Sequence, residues 1–192
     1  MSGKIYLDHA ATSWPKPPAV LEAVKSYLEE IGANPGRSGH SASVEGARVI
    51  YNVREKVAGL FHHADPLSVI FTHNISEALN LALKGVLGPG DHVISGSMEH
   101  NSMMRPLRAL EKDGIELSVV QFSAKGEADP DDFRKAVRSN TKMIAVNHAS
   151  NVNGAVIPLR DIGRVAREHN LLLLLDSAQT AMGGLEKLSD EL

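Results

Sequence analysis

Residues 171–181 read LLLLLDSAQTA: five leucines run directly into Asp176. An uninterrupted apolar run of this length suits a strand covered on both faces, as parallel sheets require. A carboxylate at the end of such a strand is costly to bury unless it is hydrogen-bonded or meets a cation. The run therefore predicts both an architecture and a ligand-facing position.

Working back from Asp176, the same unit recurs. SVIFT (68–72), HVIS (92–95), ELSVVQF (116–122) and KMIAVN (142–147) are short apolar runs, and amphipathic segments separate them. The clearest helix spans Ile75 to Val86, with Ile75, Ala78, Leu79, Ala82, Leu83 and Val86 on one stripe. Another starts at DPDD, where Asp129 caps and Pro130 takes the first helical position. Strand–helix alternation predicts an α/β fold, a mostly parallel sheet flanked by helices. Before it, Val20, Leu21, Val24, Leu28 and Ile31 predict a helix stopped by Gly32, and a second helix is expected over about residues 43 to 61.

Composition narrows the function classes. The chain has 192 residues, a net charge of −3 and no long run of one sign, so nucleic acid and membrane are not evident partners. No apolar run is long enough to span a bilayer, and no secretory signal is visible, so a cytoplasmic location is the default expectation. There are 0 cysteines, which removes disulfides, thiolate metal sites and any thiol nucleophile from this chain. The histidines show no ligand spacing, and no metal site is expected.

In open parallel sheets, ligands bind beyond the carboxyl ends of the strands. His73-Asn74-Ile75-Ser76, Glu99-His100-Asn101, His148-Ala149-Ser150-Asn151 and Asp176 with Gln179 all follow apolar runs. Asn74 and Ser76 read as helix caps, or as an anion site using free backbone N–H groups at a helix start. His100 alone reads as a loop histidine, and Asn151 alone as a turn residue.

Together these groups match a known pattern. YLDHAATS (6–13), NPGRSGH (34–40), FTHNISEALNLAL (71–83), SMEHNS (97–102), HASNVNG (148–154) and LDSAQTA (175–181) resemble the class V aminotransferase superfamily. Within it they look most like the cysteine desulfurases and selenocysteine lyases. The resemblance implies a PLP-dependent transferase of fold type I, using pyridoxal 5′-phosphate (PLP) as cofactor. It implies that residues 1–35 are an N-terminal segment, a small-domain or dimer-arm part in relatives. Residues 36–192 would be the PLP-binding large domain. The Asp176 match holds the pyridine nitrogen, and the His100 match stacks on the ring and moves protons. The matches of Asn151 and Gln179 lie near the phenolic oxygen. Asn74, the Ile75 N–H and Ser76 match the phosphate clamp, although relatives more often carry small residues or threonine there. Arg37 and His40 match a loop that approaches the site on the substrate side. A homodimer and a small amino-acid substrate are the implied partners.

Two family parts have no match. The Schiff-base lysine would lie beyond Asp176 in a Ser/Gly-His-Lys context, whereas Lys187 sits in GLEKLSDEL. The small C-terminal domain, with the carboxylate-binding arginine and the sulfur-accepting cysteine, is also unmatched. The expectation is a truncated large domain, inactive alone. The alternative is a noncatalytic paralogue or fragment acting as a binding module. A nucleotide-binding domain of the Rossmann type is disfavoured, because no G-x-G-x-x-G follows the first strand.

Overall fold

The computed structural model describes residues 5–37 and 39–181. They fall into two compact units that divide between Ile70 and Phe71.

In the first unit, helix α1 (Pro18–Ser26) starts at a proline, whose fixed φ suits a first helical position. It runs on through one π-turn, Tyr27–Ile31, and stops at Gly32, whose φ of 53° is left-handed. Val20, Leu21, Val24 and Leu28 occupy the expected apolar stripe, and all four are exposed. Helix α2 (Ser41–Leu60) is capped by His40. Buried Ser43 ties it to the preceding loop, donating from Oγ to the Asn34 carbonyl at 3.0 Å.

The second unit contains the sheet. Strands β1 (His92–Gly96), β2 (Glu116–Val120), β3 (Thr141–Asn147) and β4 (Leu172–Asp176) lie in the order β2-β1-β3-β4 and pair in parallel throughout. Between them run α3 (Ile75–Val86) ahead of β1, α4 (Asn101–Leu110), α5 (Pro130–Ala136) and α6 (Leu159–Glu168). The strands' period-two alternation builds two cores. Val93, Met143 and Ala145 face one side, where Leu79 and Leu83 of α3 and Met103 and Leu107 of α4 cover them. Ile94, Ile144 and Val146 face the other, against Phe133 of α5 and Ile162 and Val165 of α6. β1 and β3 lie in the middle of the sheet and are buried along most of their length, with the polar His92 and Ser95 of β1 hydrogen-bonded to β2 and β3.

One expected strand does not form. SVIFT (68–72) begins inside a 3-10 turn, Pro66–Ser68, and continues extended, with Ile70 and Phe71 exposed. Among the described residues no strand lies beside this run.

Candidate active site

The carboxyl ends of β1, β3 and β4 lie side by side, and polar residues gather there. Asn147 is in register with Asp176, and the His148 N–H donates to the Asp176 carbonyl at 2.9 Å, carrying the ladder one step past the strands. Asp176 is buried, at 5% exposure. Its Oδ1 accepts from the Ala178 N–H at 3.0 Å, which closes a tight turn after β4. Among the described residues no cationic side chain pairs with this carboxylate.

Beside it, His148 Nδ1 and Thr180 Oγ1 lie 2.9 Å apart. Desolvation pushes the His148 pKa below its ordinary value, so the ring is neutral at neutral pH. Past His148, the turn that carries Asn151 is braced by Ser150, whose N–H donates to the Ala155 carbonyl at 2.9 Å and whose carbonyl accepts from Gly154. Asn151 is exposed there. Gln179 is exposed in the turn after β4.

His100 caps α4. Its Nδ1 accepts the Ser102 N–H at 3.1 Å and lies 2.7 Å from Ser102 Oγ. A backbone N–H can only donate, so Nδ1 carries the lone pair and the neutral ring holds its proton on Nε2, the nitrogen left for other contacts. The residue before it, Glu99, reaches across to β3. Glu99 Oε2 accepts the Asn147 N–H at 2.7 Å, and Asn147 Nδ2 donates to the Met98 carbonyl at 2.9 Å. Glu99 Oε1 is buried with no hydrogen-bond partner. Burial pushes the Glu99 pKa up to about 8. The Asn147 N–H pulls it down, the negative charge of Asp176 adds to the rise, and the Gly96 N–H pulls it down further. At neutral pH Glu99 is therefore mostly a neutral acid.

At the start of α3, Asn74 Oδ1 caps the helix by accepting the Glu77 N–H at 3.0 Å, and Glu77 Oε2 reaches back to accept the N–H of His73, the residue before the cap, at 2.7 Å. That leaves the backbone N–H groups of Ile75 and Ser76 and the Ser76 hydroxyl at an exposed helix start. The helix dipole favours an anion there. Helix α3 packs its Leu79 and Leu83 in the same core that Leu174 of β4 joins.

Arg37 and His40 belong to the first unit. His40 has a local role there, its Nδ1 accepting the Ser43 N–H at 3.2 Å. Lys187 lies outside the described residues. Among the described residues, no group of three histidine, cysteine, aspartate or glutamate side chains could hold a metal ion. Nor is any helix there long and apolar enough to cross a membrane.

The aminotransferase class-V family model matches residues 5–189. The chain belongs to the class-V aminotransferase family. A probable cysteine desulfurase of Methanothermobacter thermautotrophicus is 37% identical over 177 residues, covering 92% of this chain and 44% of that protein. The cysteine desulfurase IscS of Dictyoglomus turgidum is 35% identical over 196 residues, covering 100% of this chain and 49% of that protein. Among solved structures, the apo cysteine desulfurase of Thermococcus onnurineus superposes with a TM-score of 0.84 at 30% identity, over 92% of this chain and 44% of that one. The chain thus spans about half the length of the relatives it matches, and its fold is that of the PLP-dependent cysteine desulfurases.

Glu99, Asn147, His148 and Thr180 were not singled out as site residues from the sequence. Glu99 and Asn147 did stand inside or beside quoted stretches, SMEHNS and KMIAVN. What was missing is their contact, which joins residues 48 positions apart.

Proposed function

We propose that this chain is the cofactor-binding half of a PLP-dependent enzyme of the cysteine desulfurase type. In complete form the enzyme would release sulfur or selenium from L-cysteine or selenocysteine and leave alanine. The observation that carries the reading is the buried Asp176 carboxylate, which lacks a cationic partner among the described residues, at the position for which the family resemblance implies a cofactor cation. The donor set fits PLP: a carboxylate for a protonated ring nitrogen, and a helix start with a hydroxyl for a phosphate. Asp176 would hold the ring nitrogen. The Ile75 N–H, Ser76 and Asn74 would hold the phosphate, and Asn151 and Gln179 would face the phenolic oxygen. Bound there, PLP supplies an electron sink. His100 would lie over the ring, its Nε2–H free to donate a hydrogen bond to a group there. Arg37 and His40 are assigned to the substrate side.

With 0 cysteines, this chain cannot itself carry sulfur as a persulfide. No lysine matches the Schiff-base position, so the chain alone is assigned PLP binding without turnover. The complete protein is assigned to the cytoplasm and to a homodimer. The dimer is supported by the exposed Val49, Ile50, Tyr51 and Val53 on α2.

The test is titration of the purified protein with PLP, followed by circular dichroism in the cofactor band. Saturable binding is expected, with Asp176→Ala weakening it about tenfold or more, the worth of one charge-assisted contact. No binding by the unaltered protein, or equal binding by the variant, would overturn the reading. Cofactor that stays attached after borohydride reduction would overturn the assignment of a lysine-free site.

A further inference from the structure

We propose that Glu99 and Asn147 form a two-point clamp that fixes the Met98–His100 loop against the end of β3, making Glu99 a positioning residue for His100. The inference rests on the reading that His100 and Asp176 belong to the cofactor site.

Three observations carry it. Both hydrogen bonds run from one residue of β3 to adjacent residues of the loop: the Asn147 backbone N–H donates to the Glu99 carboxyl, and the Asn147 side-chain amide donates to the Met98 carbonyl. A loop held at two adjacent residues, one through its side chain and one through its backbone carbonyl, is fixed in position and in rotation. Next, the space for Glu99 is built into β1. A Cβ at Gly96 would stand 2.8 Å from Glu99 Oε1 and 2.6 Å from Phe122 Cζ, so only glycine lets the carboxyl lie down on the strand end. Finally, on the far side of the loop, His100 is locked to Ser102 by its own capping bonds. The ring is thus held from two sides, by α4 after it and by β3 before it. Glu99 itself touches no reacting atom in this arrangement and acts through the histidine.

The groups facing the Glu99 carboxyl are the Asn147 N–H, the Gly96 N–H and the Asp176 carboxylate. They come from β3, β1 and β4. A neutral acid or an amide at position 99 satisfies the Asn147 N–H equally well, whereas a shorter side chain cannot reach it.

The test is histidine-selective NMR on the purified protein, with the His100 signals identified by their loss in His100→Asn. In the unaltered protein the ring nitrogens should report the Nε2–H tautomer, with Nδ1 as acceptor. Glu99→Gln should preserve that signature. Glu99→Ala and Asn147→Ala should each move it toward the averaged values of a mobile ring, and the double variant should move it no further. Glu99→Asp, one methylene too short, should behave as alanine does, and it serves if an alanine variant does not fold. PLP titration runs in parallel: affinity should fall in the broken variants and return in Glu99→Gln. An unchanged His100 signature in folded Ala or Asp variants would overturn the clamp, as would a glutamine variant as disordered as alanine. If the unaltered protein binds no PLP, the proposed function fails, and the tautomer readout still decides the clamp.

Discussion

Replacing Glu99 by glutamine isolates the cost of burying its carboxyl, and pH reveals that cost. In the folded protein the group titrates at about 8, against 4.5 for an exposed glutamate. Between those values the unfolded chain has released a proton that the folded chain still holds. Stability therefore falls as pH rises through this window, and levels off above the folded value. Each pH unit inside it is worth about 1.4 kcal/mol, so the loss between about pH 5 and pH 8 is roughly 3.5 kcal/mol. That figure is an upper limit, since the stem of the side chain is half-buried and only its carboxyl end is enclosed. Glutamine keeps the acceptor for the Asn147 N–H and does not titrate. His92 and His148 are pushed below their ordinary values by burial and contribute a slope of opposite sign. That slope is common to both proteins and cancels in the difference. Urea unfolding at pH 5, 6, 7 and 8 should show a stability gap that widens in favour of Glu99→Gln by a few kcal/mol. A gap that stays flat across the series would refute the reasoning, because it would place the carboxyl in water.

Two further outcomes follow from the same coordinates. Gly96→Ala puts a methyl group into the Phe122 ring and the Glu99 carboxyl, and should destabilise by about 1–3 kcal/mol, read by thermal unfolding. Sedimentation of the purified protein should show a concentration-dependent dimer through the exposed apolar residues of α2, and charged substitutions at Ile50 and Val53 should dissolve it. A monomer across the range, or a dimer indifferent to those charges, would remove that assignment.

Much of the second unit was legible because its signals are local. Apolar runs at 92–95, 116–122, 142–147 and 171–176 announced four strands, and Asn74 announced the start of α3 by a cap that acts over three residues. Asp176 stood out because a charge after five leucines has few inexpensive explanations. SVIFT carried the same local signal, yet it runs extended after a 3-10 turn and is no strand of the described sheet, since strand propensity alone does not fix pairing. The Glu99–Asn147 clamp was illegible for a related reason. Periodicity reports which face a residue takes, and it is silent on which two loop ends, 48 positions apart, will meet.

The strand order β2-β1-β3-β4 has a consequence for the shape of the site. After β1 the chain leaves toward α4 on one face of the sheet, and after β3 it leaves toward α6 on the other. Two neighbouring strands whose continuations part in opposite directions open a cleft between them, with no backbone ladder across its floor. Glu99 and Asn147 stand at that parting and close it with side chains. The bridge across that parting therefore depends on one carboxylic side chain, and shortening it by a methylene would leave the two strand ends joined there only through the Met98 carbonyl.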